Sequence, residues 1–199
     1  MQWDNYYKIK TGQAPCPIVA KALNLFQSQG KAIDLGCGAG NEAVLLLNSG
    51  WDVWAIDGDA NAIETVKNRN DIKGPRKLVA SLGKFEDEST WSTLPDVDLI
   101  YAANSLPFCK HSEFKKVWTY IKQHIMPGGR FAGHFFGLLS QDFPDQAIRK
   151  TIFLKKEEIV CLLQEFDIEY FQEVEEVLEK CTGQLIRFHV FEVIARKAS

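Results

Sequence analysis

Gly36, Gly38 and Gly40 stand at alternate positions in the stretch Ala32-Ile33-Asp34-Leu35-Gly36-Cys37-Gly38-Ala39-Gly40. An apolar run that enters such a loop and continues into a helix can hold a ligand. Glycine lets the backbone bend sharply and approach closely, because no Cβ intervenes, and a helix start points free N–H groups at whatever lies there. A second apolar run ends in Asp57, at about the 20-residue offset where a carboxylate accepts hydrogen bonds from both hydroxyls of a ribose. Loop and acid together point to a ligand with a nucleoside. A dinucleotide fingerprint requires GxGxxG; here Asn41 fills the third position and Gly40 comes one residue early, so the pyrophosphate version is the poorer match. Taken singly, the loop is also compatible with a plain strand-to-helix turn, and Asp57 with a helix N-cap.

These residues need a sheet to position them, and the pattern supplies one. Short apolar runs alternate with helical stretches, which predicts an α/β fold with a mainly parallel sheet. A helix is expected over residues 17–30, with Val19, Ala22, Leu23 and Phe26 on one face and Gly30 closing it. Strands are expected at 31–35, 52–56, 77–81, 98–102 and 130–136, and helices at 41–48, 60–69, 113–125 and 156–166. Two extended runs, 168–174 and 185–195, end the chain with no helix between them, so they should form an antiparallel hairpin.

The 199 residues, 46% hydrophobic and 25% charged, suffice for one domain with a core and are few for two. The longest apolar run, 43–47, is far below the roughly 20 residues of a membrane span. The start MQWDNYYKIK has no apolar stretch, so no secretory signal is expected. A net charge of −3 is opposite in sign to that of a general nucleic-acid binder. Cys16, Cys37, Cys109, Cys161 and Cys181 form no CxxC pair. Neither a metal site nor a redox pair is expected, and a reducing cytoplasm is the simplest compartment.

DLGCGAG, residues 34–40, resembles motif I of the class I S-adenosylmethionine-dependent methyltransferases, and VWAIDGD, residues 53–59, resembles their second motif. Ala80-Ser81-Leu82 followed by Phe85 occupies the place where the family holds the adenine. DLIYAANSLPF, residues 98–108, is similar to the fourth-strand motif, and MPGGRF, residues 126–131, to the turn before strand five. HVFEVIARK, residues 189–197, resembles the last strand of the small tellurite-resistance-like and thiopurine-methyltransferase-like members. The resemblance covers nearly the whole chain. It implies one methyltransferase domain over 1–199, with a Rossmann-like seven-stranded, mostly parallel sheet, helices on both faces, and an antiparallel last strand beside the fifth. It also implies methyl transfer from S-adenosylmethionine by direct in-line displacement, leaving S-adenosylhomocysteine.

The resemblance assigns roles residue by residue. Gly36, Gly38 and Gly40 should lie under the methionine end of the cofactor, with Cys37 packed in the loop as a small residue. Asp34 should sit near the ammonium group. Asp57 should hold the ribose, and Gly58 lets the chain turn there. Ser81 should meet the adenine edge, with Leu82 and Phe85 on the ring. Ala103 and Asn104 should close the amino-acid end. Trp3 and Tyr7, with Tyr6, suggest that residues 1–14 form a lid.

Catalytic candidates come from sheet geometry. The N-terminal end of an antiparallel last strand lies at the ligand-binding edge of an open α/β sheet. Arg187 and His189, two apart, share a face there. His189 is the candidate general base or substrate orienter, and Arg187 the candidate anion contact. The plainer reading of both is a solvated or core pair. His134 reads as a core residue, and His111 and His124 as surface residues. Residues 157–180 hold nine acids and one base, most simply a solvated helix face and sheet edge. Lys67, Arg69, Lys73, Arg76 and Lys77 read as an exposed helix end.

A small-molecule acceptor is favoured over nucleic acid or a membrane. The chain is acidic, no recognition domain is evident, and Asn104-Ser105-Leu106-Pro107-Phe108 only approximates the Asn-Pro-Pro-aromatic motif of enzymes that methylate base amino groups. The nucleophile is open: a thiol, a soft chalcogen anion, an oxygen or an amine. A monomer or homodimer is expected. The alternatives are a non-catalytic S-adenosylmethionine-binding module, a protein methyltransferase and an NAD-dependent oxidoreductase.

Overall fold

The strand β1 (Lys31–Leu35) is buried from its second residue onward, and its alternating side chains feed two separate cores. The structure, a computed structural model, describes residues 7, 9–140, 151–179 and 185–198. On either side of β1 lie β2 (Asp52–Asp57) and β4 (Val97–Ala102), both parallel to it. Beyond β2 comes β3 (Leu78–Leu82), and beyond β4 comes β5 (Ile125–Gly137). The last strand, β8 (Leu185–Lys197), runs antiparallel between β5 and β7 (Phe166–Glu179). The order is β3-β2-β1-β4-β5-β8-β7, and the two-residue β6 (Phe153–Leu154) pairs with the end of β5. The sheet therefore has eight strands and not the expected seven; β6 is too short to show any periodicity in sequence.

Helices cover both faces. Ala32, Val53, Leu99 and Tyr101 point to one core, closed by α1 (Pro17–Leu23), α2 (Asn41–Asn48) and α3 (Ala60–Lys67). Ile33, Leu35, Ile56 and Ile100 point to the other, closed by the short α4 (Glu88–Trp91), α5 (Phe114–His124) and α6 (Lys156–Leu162). The alternation follows from the two-residue period of a strand. Trp118 of α5 anchors the second core: its ring meets Phe131 edge-on at 5.0 Å, and its N–H donates to the Leu162 carbonyl at 3.0 Å.

Two helices are shorter than their sequence pattern. α1 stops at Leu23 instead of running to 30, because Phe26 turns away to stack edge-on against Trp51 at 4.8 Å, beneath the Arg130 guanidinium. α6 stops at Leu162, because Phe166 is taken up as the first residue of β7. His124 is not a free surface side chain: it lies against Trp91, with ring centroids 5.1 Å apart. The acidic stretch is more than a solvated face. Glu165, Glu169, Glu173 and Glu175 pair with Lys122, Arg130, His189 and Arg187 respectively.

Candidate active site

A cavity of about 700 Å³ opens at the C-terminal ends of β1, β2 and β4. The sheet order reverses between β1 and β4, and the resulting crevice is where open α/β sheets bind ligands. The volume lies within the roughly 300–1,000 Å³ of small-molecule and cofactor sites.

The glycine loop forms one wall, and its glycines do different work. Gly36 sits at φ +84°, and a Cβ there would lie 2.3 Å from the Ser105 Cβ. Ser105 packs that closely because its hydroxyl donates to the Leu35 carbonyl at 2.6 Å. Gly40 also has a positive φ, but its absent Cβ makes room for Val66 of α3. It serves helix packing and does not line the cavity, whereas Gly36, Cys37 and Gly38 do. Gly38 N donates to Asp57 Oδ2 and Asp59 N to Asp57 Oδ1, both at 2.9 Å, so the carboxylate ties the loop to the end of β2. The helix N-cap is Asp59, which accepts from Asn61 N. Asp57 and Gly58 line the cavity. Burial pushes the Asp57 carboxyl up, while bonds from Gly38 and Asp59 pull it down.

Asp34 is 2% exposed and lines the same cavity. Its Oδ2 has no hydrogen-bond partner. Burial, then Glu42 and Asp57, push its carboxyl well above the ordinary carboxylate range. A buried carboxyl oxygen without a donor is costly, and a cation or N–H group placed there would relieve it. Among the described residues, Glu42, Asp57 and Asp59 also border the cavity, against one lysine, Lys10. The donor set therefore suits a nucleoside with a cationic arm.

Described residues of the N-terminal segment border the site. Tyr7 is buried, and Lys10, Gln13, Ala14 and Cys16 line the cavity beside it. Burial, then Asp57 and Asp59, raise the Tyr7 hydroxyl above its ordinary value. Asn41 holds the segment by donating to the Lys10 carbonyl at 2.7 Å and accepting from Gly12 N at 3.0 Å. Glu42 accepts from Cys16 N at 2.9 Å. Trp3 and Tyr6 lie outside the described residues.

Ala103, Asn104, Ser105 and Phe108 complete the rim after β4, and Phe85 reaches in from beyond β3. Ser81 and Leu82 are not on the wall. They belong to the edge strand, and the turn at Gly83, whose N–H donates to the Asp57 carbonyl, folds Phe85 inward while Leu82 stays 61% exposed. Arg187 and His189 are not on it either. β5 separates β8 from β4, and pairing of β8 with β5 begins only at Val190. Both side chains are engaged on the hairpin. Arg187 pairs with Glu175. His189 Nδ1 accepts from Leu139 N at 3.2 Å, so Nε2 carries the proton and donates to Glu173 at 2.9 Å. Both ring nitrogens are thus engaged away from the cavity wall.

Sequence reasoning passed over several wall residues, among them Cys16, Glu42 and Tyr101. Tyr101 sits directly beside Asp34 across the β1–β4 pairing, a neighbourhood that only the strand order creates. Glu42 could have been found, being the one acid in the first turn of the helix after the loop.

Residues 32–129 match the family model described as a methyltransferase domain. No curated protein sequence matches the chain. Among solved structures, TehB from Haemophilus influenzae is similar in fold, with a TM-score of 0.77, 19% identity, and 98% of this chain and 67% of that one covered. A SAM-dependent methyltransferase from Methanosarcina mazei gives 0.68 and 19%, covering 94% and 99%. The 1,6-didemethyltoxoflavin-N1-methyltransferase of Burkholderia thailandensis, solved with its substrate and S-adenosylhomocysteine, gives 0.65 and 19%, covering 92% and 77%. The glycine loop and Asp57 both fall inside this methyltransferase domain, and the three-layer sheet that carries them is the fold of the solved S-adenosylmethionine-dependent methyltransferases.

Proposed function

We propose that the chain methylates a small-molecule acceptor by direct in-line displacement. The observation that carries this reading is the Asp34 Oδ2: a buried, unpartnered carboxylate oxygen in the cavity that also holds Asp57. S-Adenosylmethionine, when bound, supplies a methyl group on a sulfonium, an already activated leaving group. The protein's work is then alignment and exclusion of water. Asp34 takes the ammonium, directly or through water, and Asp57 the ribose hydroxyls. Gly36, Cys37 and Gly38 allow close approach, Phe85 packs on the base, and Ala103 and Asn104 close the amino-acid end. The segment 1–14 acts as a lid, with Tyr7 against the glycine loop, and so favours a small acceptor over a protein chain. Four carboxylates on the wall oppose the pyrophosphate that an NAD-dependent enzyme would bring.

The test is calorimetry with S-adenosylhomocysteine. The wild type should bind it, and Asp57→Ala should weaken binding by about 1–3 kcal/mol, the scale of lost charge-assisted hydrogen bonds. Equal affinity in the two proteins would refute the placement.

A further inference from the structure

Among the described residues, two buried side-chain oxygens have no hydrogen-bond partner: Asp34 Oδ2 and the Tyr101 hydroxyl. They are neighbours. Asp34 of β1 is level with Tyr101 of β4 in a parallel pair, so both side chains leave the sheet on the same face. Each is 2% exposed, and both border the cavity. A buried polar group without a partner costs stability. The Tyr101 ring belongs to an apolar core with Leu99 and Val19, where phenylalanine would pack without that cost. Two such oxygens side by side on a ligand-sized cavity mark a place where a ligand supplies the partners.

The surroundings decide which group fits. Glu42 of α2, Asp57 at the end of β2, Cys37 of the glycine loop and Cys16 before α1 face the pair. Burial, then Glu42 and Cys16, hold the Tyr101 phenol well above its ordinary value, so it keeps its hydrogen and still offers oxygen lone pairs. The Cys16 thiol beside it is a weak acceptor for that hydrogen. The Ala43 N–H already serves the Asp34 carboxyl, which leaves Oδ2 as its open oxygen. Two open oxygens in an acidic corner suit a cation with more than one N–H. Burial and the acids around it also favour a proton on Asp34 in the free protein. An opposite charge in contact reverses that balance, because it favours the ionised form.

We propose that Tyr101 is a further cofactor-holding residue: its hydroxyl oxygen and Asp34 Oδ2 together take the ammonium of the cofactor's amino-acid arm, and Asp34 releases a proton to solvent as they do so. The inference rests on the methyl-transfer reading. The exchange balances. A neutral carboxyl becomes a carboxylate, the ammonium keeps all its hydrogens, and the corner holds an ion pair where it held an uncharged acid. Affinity for the cofactor therefore rises with pH, by up to about tenfold per unit, as long as Asp34 is protonated in the free protein and the ammonium stays charged. Tyr101 makes the corner selective, because its oxygen gains a partner only from a ligand that carries the amine.

The experiment needs no methyl acceptor. Calorimetry of S-adenosylhomocysteine binding in buffers of different ionisation enthalpy should show release of about one proton per ligand by the wild type and none by Asp34→Asn. 5′-Methylthioadenosine, which keeps the nucleoside and lacks the amino-acid arm, should release none from either protein. Tyr101→Phe should lose about tenfold in affinity for S-adenosylhomocysteine, the scale of one hydrogen bond to a charged group, and bind 5′-methylthioadenosine as the wild type does. Its thermal midpoint without ligand should stay level or rise, since the hydroxyl it removes has no partner. Binding of S-adenosylhomocysteine without proton release, equal affinity in Tyr101→Phe, an equal loss for both ligands, or a lowered midpoint overturns the proposal. A wild type that fails to bind S-adenosylhomocysteine overturns the methyl-transfer reading itself; one that binds it with no proton released and no effect of Tyr101→Phe overturns only the role of this corner.

Discussion

Asn41 Oδ1 accepts from the Arg69 guanidinium at 2.8 Å while also accepting from Gly12 N at 3.0 Å. One side chain thus joins the end of α3 to the segment over the cavity. The Arg69 side chain is only 5% exposed; it also donates to the Ala39 carbonyl at 2.7 Å and pairs through two nitrogens with Asp71. The position where a dinucleotide loop would need its third glycine is used here as an anchor.

Asn41→Ala should therefore free the lid without unfolding the sheet. It removes the bonds to Lys10, Gly12 and Arg69, each worth about 1 kcal/mol net. Release of S-adenosylhomocysteine, followed by stopped-flow fluorescence, should accelerate by about tenfold or more if two of these bonds hold the closed state. An unchanged off-rate would show that residues 1–14 do not gate the cavity.

Asp34→Asn should raise stability and lower affinity together. In the free protein the Asp34 carboxyl is buried with an unpartnered oxygen, and its acidic neighbours repel it. An amide removes the charge and keeps the shape. Thermal unfolding at pH 7 should move upward, while calorimetry should show S-adenosylhomocysteine binding weakened by about 1–3 kcal/mol. A drop in stability with unchanged affinity would mean that Asp34 serves the fold alone.

Much of this site was legible in the chain. Gly36, Gly38 and Asp57 announce themselves through spacing, because a strand–loop–helix unit places them locally. The mainly parallel sheet and the antiparallel hairpin that ends it were legible in the same alternation of apolar runs and helices. Arg187 and His189 show where such reasoning stops. Their place at the right edge of the sheet was correct, but β8 lies beyond β5 from β4, and Glu173 and Glu175 on the neighbouring strand claim both side chains. Those pairings depend on strand register, which no local pattern encodes. Arg69 was hidden likewise: it sits in a basic cluster, and only the fold turns it under the glycine loop.

His134 should leave a mark on stability against pH. Its folded pKa is lowered to about 4 from 6.5, so between those values the unfolded chain binds a proton that the native one does not. Stability from this residue is complete above about pH 6.5 and is lost as pH falls toward 4, at up to about 1.4 kcal/mol per pH unit. Asp34, whose pKa is raised, acts with the opposite sign, so the difference between wild type and His134→Asn isolates the histidine. Urea unfolding from pH 7 down to pH 4.5 should show the variant less acid-sensitive. Parallel curves would mean that the ring titrates normally.

His189 and Gly137 should be coupled. A Cβ added at Gly137 would lie 2.0 Å from His189 Nδ1, and His189 is fixed there by Leu139 N and Glu173. Gly137→Ala should therefore destabilise the wild type by several kcal/mol through overpacking, about 1–3 kcal/mol being usual for inserted carbons. His189→Ala should cost stability through its lost packing on Phe191, 4.9 Å away, and leave kcat nearly unchanged. In the double variant the new methyl group enters the space the ring vacates, so the two costs should fall short of their sum by at least about 1 kcal/mol. Strict additivity in denaturant unfolding would place the ring elsewhere, and a large fall in kcat for His189→Ala alone would return His189 to the catalytic site.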